Sequence, residues 1–80
     1  MPSDEQQKMQ ALCQALHRKL KNLSQDIRLA RKNGEPTDEL KARRKRVDMA
    51  YSRAMLLQTQ PNDDGLRSAY SELHAIYNHN

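Results

Sequence analysis

The sequence predicts an all-α fold, a three-helix antiparallel bundle in which a long helical hairpin is joined by a shorter third helix. Apolar residues recur every three or four positions in three segments, and no segment alternates with the period of two that a half-buried strand shows. Only two glycines and three prolines occur in 80 residues, and these breakers divide the chain into the three segments. Leucine, alanine, glutamine, lysine and arginine, which are good helix formers, are abundant.

The first predicted helix, about residues 4–32, has the most specific pattern. Ser3 followed by Gln6 forms a capping box at its start, and Asn33-Gly34 is a favourable stop at its end. The apolar spacing is 4-3-4-3-4-3, which is typical of a coiled-coil seam. The seam consists of Met9, Cys13, Leu16, Leu20, Leu23, Ile27 and Ala30, widened by Leu12 and Leu29.

The second predicted helix spans about residues 38–59. Thr37 or Asp38 is the expected N-cap, and Pro61 is expected to end the segment. One face of this helix carries an apolar stripe, which is uninterrupted only in the second half of the helix. The stripe consists of Leu40, Val47, Ala50, Tyr51, Ala54 and Leu57.

The third predicted helix spans about residues 63–77 and is capped by Asn62 or Asp63. The links at about 33–37 and 60–62 are short, and short links favour antiparallel neighbours. The third helix should therefore lie parallel to the first. Because the first helix is longer than the third can cover, a hairpin that dimerises is the alternative. The stripe of the third helix consists of Leu66, Ala69, Tyr70, Leu73, Ile76 and Tyr77.

Positive charge is concentrated in one stretch of the sequence. The whole chain has a net charge of +4, whereas residues 28–46 hold eight cations against three anions, a net charge of +5. In an antiparallel hairpin this stretch surrounds the first turn, so the sequence predicts a basic pole there. The eight cations are Arg28, Arg31, Lys32, Lys41, Arg43, Arg44, Lys45 and Arg46.

Arg43 and Arg44 are the unusual members of this set. They occupy the first half of the second helix's apolar stripe, where leucine would extend the core. Lys41 and Lys45 form a like-charge i,i+4 pair, which is mildly unfavourable. Such a run of charges is usually only the solvent-exposed face of a helix. The repulsion among these clustered cations would, however, be relieved by an acidic partner.

Two classes of acidic partner are open. A protein with an acidic surface would use the basic pole together with Met55 and Leu56, which lie partly off the stripe and are candidate apolar contacts. The phosphates of DNA or RNA are the alternative. The chain has no zinc-finger spacing, glycine-rich loop or aromatic platform, so nucleic-acid binding would be salt-dependent and largely independent of base sequence.

Other chemistry has little support in the residues. Cys13 and His17 lie one helical turn apart, with His74 and His79 near the end of the chain, but a single cysteine with scattered histidines is a weak metal pattern. A small thiol on an apolar seam is an ordinary core residue. The sequence therefore predicts no metal, no cofactor and no catalytic residue.

The location follows from three absences in the sequence. No apolar run approaches the roughly 18–20 residues of a membrane span. The polar, acidic first residues do not form a signal peptide, and one cysteine allows no intrachain disulfide. We expect a cytoplasmic protein, or a nuclear one in a eukaryotic cell. The predicted function is a small non-enzymatic helical module that binds another protein as adaptor, regulator or inhibitor, with nucleic-acid binding through the same pole as the alternative.

Overall fold

The computed structural model describes residues 3–59 and 62–80, and within them the regular elements are three α-helices. Helix α1 spans Asp4–Lys32, α2 spans Asp38–Leu57 and α3 spans Asp63–His79. The predicted all-α, three-helix fold is confirmed. The first helix has the predicted bounds, while α2 ends slightly earlier than expected and α3 slightly later.

Helix α1 begins and ends through the predicted local signals. The Ser3 hydroxyl accepts a hydrogen bond from the Gln6 backbone N–H at 3.2 Å, and the Gln6 side chain accepts one from the Ser3 backbone N–H at 3.0 Å. At the other end Gly34 has a φ of 72°, a left-handed conformation that glycine adopts without steric cost. The backbone N–H groups of Gly34 and Glu35 donate to the carbonyls of Arg31 and Ala30.

The other two helix starts differ from each other. Thr37 is the N-cap of α2, and its side chain makes no capping hydrogen bond. Asn62 caps α3, because its side-chain oxygen accepts from the N–H groups of Asp64 and Gly65 at 3.1 and 3.2 Å. The expectation that Pro61 ends the second segment lies outside the described residues.

Contacts at both ends of α3 show that it runs parallel to α1. At one end the Ser3 hydroxyl donates to the Asp63 carboxylate at 2.8 Å. At the other end the Lys19 ammonium donates to the Tyr77 carbonyl and lies 4.6 Å from the centre of the Tyr77 ring. The predicted arrangement of the third helix beside the hairpin is therefore confirmed.

Helix α3 runs antiparallel to α2 and covers only part of the hairpin. Arg53 pairs with Glu72 at 3.1 Å, and Arg46 donates to the Asn80 side chain at 2.8 Å. Among the described residues, no further element packs beside α1 and α2 beyond the level of this Arg46–Asn80 contact. We call residues 21–45 the two-helix tip. It accounts for the elongated outline, whose extents are 48 × 19 × 16 Å.

The core lies between the three apolar stripes. Met9, Leu16 and Val47 are fully buried at 0% exposure. Leu29 was predicted to widen the seam, and this prediction is wrong, since its side chain is 59% exposed. Two positions after the buried Ile27, it is turned about 200° around the helix. The core cluster consists of Met9, Leu12, Cys13, Leu16, Leu23, Val47, Ala50, Ala54, Leu66, Ala69 and Leu73.

The seam of α1 stays covered in the two-helix tip. Leu23, Ile27 and Ala30 are only 5, 3 and 5% exposed. Arg43 and Arg44 stand on the facing stripe and are half-buried, so their aliphatic stems cover apolar surface while their guanidinium groups reach solvent. One chain thus closes the length of seam that suggested a dimer, and dimerisation stays a prediction.

Candidate partner-binding groove

An open groove runs between α1 and α2 along one flank of the hairpin. Its volume is about 850 Å³, and none of its lining residues comes from α3. We call it the basic groove. Its lining consists of His17, Leu20, Lys21, Ser24, Gln25 and Arg28 from α1, and Lys41, Arg44, Lys45 and Asp48 from α2.

Helical spacing places these side chains on one face. On α1, residues 17, 21, 24 and 28 follow a 4-3-4 spacing, which keeps them in line along the helix. Each of these residues follows a seam residue by one position, so the line is turned by about 100° from the buried seam. The α3 contacts of α1, through Glu5 to Arg67 and through Lys19 to Tyr77, lie on the other side of the seam. The basic groove therefore occupies the flank that α3 leaves open.

The basic groove is strongly positive. Five cations line it against one carboxylate, that of Asp48. Within residues 3–59 and 62–80, ion pairs engage Arg43, Arg53 and Arg67, and none of the five groove cations takes part in one. Five cations against one carboxylate leave the groove with a net positive charge, which raises the local concentration of anionic groups.

Half of the eight predicted site residues line this groove, namely Arg28, Lys41, Arg44 and Lys45. Lys21 is a fifth groove cation that the sequence reading missed, because it lies outside the basic stretch of residues 28–46. A signal for it existed, since Lys21 lies seven residues before Arg28 on the same face of α1.

The other four predicted residues lie elsewhere on the two-helix tip or at its base. Arg43 pairs with Glu39 at 3.0 Å, and Arg46 reaches Asn80 at the end of α3, so this flank of α2 faces towards α3. Arg31 and Lys32 are exposed in the last turn of α1, where cations favourably meet the negative end of the helix dipole. The basic pole is thus divided into separate surfaces.

A second groove lies next to the first, towards the N-terminus of α1 and the C-terminus of α2. Its volume is about 400 Å³, and it contains no Lys, Arg, Asp or Glu. We call it the uncharged groove. His17 lines both grooves and stacks on Tyr51, with ring centres 5.4 Å apart and planes 25° apart. Its lining consists of Gln10, Cys13, Gln14, His17, Tyr51, Met55 and Gln58.

The two predicted apolar contacts are both on the surface but in different places. Met55 is 44% exposed and lines the uncharged groove. Its sulfur accepts a hydrogen bond from the Gln58 side chain at 3.7 Å. Leu56 is 74% exposed and belongs to the lining of neither groove.

The cysteine and histidines are not brought together. Cys13 is buried at 4% exposure, as predicted for a core cysteine, and burial raises the pKa of its thiol. His74 stacks between Tyr70 and Tyr77 on α3, at 5.4 and 6.2 Å, whereas His17 lies in the groove. In the part of the chain that the structure describes, no group of three His, Cys, Asp or Glu side chains is placed to hold a metal.

The fold and the groove define an all-α three-helix protein with a cationic cleft between two of its helices. Searches against known protein families, curated proteins and solved structures find no match. Among the described residues, no helix is long and apolar enough to cross a membrane.

Proposed function

We propose that this protein is a small helical binding module, without catalytic activity, that docks an acidic surface of another protein in its basic groove. Such a module would act as an adaptor, regulator or inhibitor of its partner. The cations of the groove would supply attraction and orientation, since charge complementarity mainly sets the association rate and the choice of partner.

The distribution of charge along α1 and α2 is the observation that supports this proposal. Five cations line the basic groove, and the uncharged groove that follows presents Tyr51, Met55 and glutamine amides instead. A partner that is acidic at one end and apolar or amide-rich at the other matches this sequence of surfaces. Protein surfaces combine such features, and tyrosine and methionine are enriched where proteins meet.

Nucleic acid is the alternative partner, and the five groove cations favour it. Ser24 and Gln25 would add hydroxyl and amide donors to phosphate oxygens. A nucleic-acid backbone carries charge along its whole length, however, and the uncharged groove offers it no cation. The match is therefore poorer than for a protein with a local acidic patch.

Fluorescence anisotropy with three labelled probes tests the proposal. The probes are an 18-residue polyglutamate peptide, a mixed-sequence DNA duplex and a DNA single strand, each titrated at about 50 and 200 mM salt. We expect the acidic peptide to bind at the lower salt and the two DNA probes to bind more weakly. Five phosphate contacts would reduce duplex affinity roughly 500-fold between these salts. Tight duplex binding with that salt dependence would replace the protein partner by nucleic acid.

A matched pair of double reversals locates the site. Arg44→Glu with Lys45→Glu changes the basic groove, and Arg43→Glu with Arg46→Glu makes the same charge change on the other flank of α2. We expect only the first pair to abolish peptide binding. Equal losses in both variants, or no peptide binding by the wild type, would remove the basic groove as the site.

A further inference from the structure

The two grooves lie end to end on the same flank of the hairpin and meet at His17, which lines both of them. We call the pair the trough. Along α1 the trough extends from Gln10 to Arg28, and at 1.5 Å per residue this is roughly 27 Å, the length of an 18-residue helix. Its walls are two antiparallel helices. A cleft of this shape and length is filled well by one more helix.

The position of α3 supports this geometry. It is a helix of 17 residues that packs on the opposite flank of the same hairpin, with Leu66, Ala69 and Leu73 buried against α1 and α2. A helix in the trough would lie on the other flank and complete a four-helix arrangement. Antiparallel helix pairs commonly accept further helices with this packing.

We propose that the occupant of the trough is a single amphipathic α-helix of the partner protein, about five turns long, acidic in one half and apolar in the other. This inference rests on the proposed function and specifies the form of the partner. The acidic half would lie over Lys21, Arg28, Lys41 and Arg44. The apolar half would lie over Tyr51 and Met55.

The charges argue against a second copy of this chain as the occupant. The chain carries a net charge of +4, so two copies repel each other. Its most exposed apolar side chains on α2 are Met49 and Leu56, and Lys45 and Arg53 stand one turn from them along the same helix. A helix with this face would bring cations to a groove that is already cationic.

Contact with the uncharged groove distinguishes a docked amphipathic helix from an acidic ligand that is held by charge alone. Met55 is exposed at 44% and has an unbranched, polarisable side chain that adapts to an apolar partner. A polyglutamate coil would contact only the basic groove. An amphipathic helix would also bury Met55, so the contribution of this residue reports on the shape of the ligand.

The experiment uses a labelled 18-residue peptide whose inward face carries glutamates in one half and leucines in the other. A scrambled peptide of the same composition and the polyglutamate peptide are the controls. We expect the amphipathic peptide to bind at least tenfold more tightly than either control and to gain helical circular dichroism on binding. Such a margin corresponds to about one buried apolar side chain.

Met55→Ala and its neighbour Leu56→Ala form the matched variants. We expect Met55→Ala to weaken the amphipathic peptide about fivefold and Leu56→Ala to leave it unchanged, with the melting temperature of both variants close to that of the wild type. Polyglutamate binding should be the same in both variants.

The outcomes distinguish the two proposals. Equal affinity for the amphipathic, scrambled and polyglutamate peptides, with no effect of Met55→Ala, would overturn the docked helix while an acidic protein partner stands. Failure of all three peptides to bind would overturn both. Peptide-induced dimers in sedimentation would show that a second copy takes part and would also overturn the single-helix arrangement.

Discussion

Arg43 and Arg44 are adjacent in the sequence, yet they lie on opposite flanks of α2. Arg44 lines the basic groove, whereas Arg43 donates to Glu39 at 3.0 Å outside it. Successive residues of an α-helix are about 100° apart, and this angle places one arginine on each side of the buried stripe. Both side chains are half-buried beside the apolar seam of α1. Only Arg44 lines the basic groove, where a ligand would bind.

Replacing each arginine by leucine separates stability from binding. We expect Arg43→Leu and Arg44→Leu each to raise the free energy of unfolding by about 0.5–1 kcal/mol, since leucine buries more apolar area on a half-buried stripe. Only Arg44→Leu should weaken binding of the polyglutamate peptide. Urea denaturation and anisotropy measure the two quantities, and a loss of affinity in Arg43→Leu would contradict the assignment of the flanks.

Lys19 and Lys21 form a second informative pair, because they lie on different flanks of α1. Lys19 holds the end of α3 through the Tyr77 carbonyl and ring. We expect Lys19→Ala to lower the free energy of unfolding by about 1 kcal/mol without changing peptide affinity. Lys21→Ala should do the reverse, since Lys21 lines the basic groove. The two readouts moving together in either variant would mean that the flanks are not independent.

The helix starts predict a difference between two N-cap residues. Ser3→Ala removes the capping box of α1 and the hydrogen bond to Asp63, and we expect a loss of about 1–2 kcal/mol in the free energy of unfolding. Thr37→Ala removes no capping hydrogen bond, so its cost should stay within about 0.5 kcal/mol. Thermal denaturation at one pH compares them. Equal costs would show that the Ser3 capping box does not stabilise the folded state.

The buried thiol predicts a pH dependence of stability. Burial raises the pKa of Cys13 above its ordinary value of 9.0. Above that pH the unfolded chain loses the thiol proton while the folded chain keeps it, so the folded state is favoured less as the pH rises. The contribution is fully present below about pH 9 and declines from there up to the folded pKa.

Cys13→Ala supplies the control for this effect. The wild type should lose more of its free energy of unfolding than Cys13→Ala between about pH 8 and pH 10.5, since alanine does not titrate. The difference between the two curves isolates Cys13 from the lysines and tyrosines that also titrate there. Parallel curves would show that the thiol is hydrated in the folded protein.

Local signals made much of the fold predictable. The heptad spacing of α1, the capping box at Ser3 and the stop at Gly34 each act within a few residues, and all three are present in the structure. The wrong prediction for Leu29 could have been avoided on the same local grounds. Its angle around the helix from Ile27 already places it outside the seam.

The site was harder to predict because it depends on tertiary structure. The sequence indicated where the cations concentrate. The flank of the hairpin against which α3 packs determines which flank is left exposed for a ligand. That position depends on how the apolar stripe of α3 packs against α1 and α2. It is why Arg43 and Arg46 were grouped with the groove cations, although Arg46 donates to Asn80 at the end of α3.

The two-helix tip has a dynamic consequence for binding. Its buried or half-buried leucine, isoleucine and alanine side chains are Leu23, Ile27, Ala30 and Leu40, and Ile27 and Ala30 lie outside the core cluster that includes α3. A segment with few buried apolar contacts opens locally at lower free energy than the rest of a domain. Backbone amides of the tip should therefore exchange with deuterium faster than those around Leu16 and Leu66. A ligand in the basic groove would contact both helices of the tip and slow that exchange. Binding would therefore be measured as slower exchange in the two-helix tip, with the exchange rate of the three-helix part unchanged.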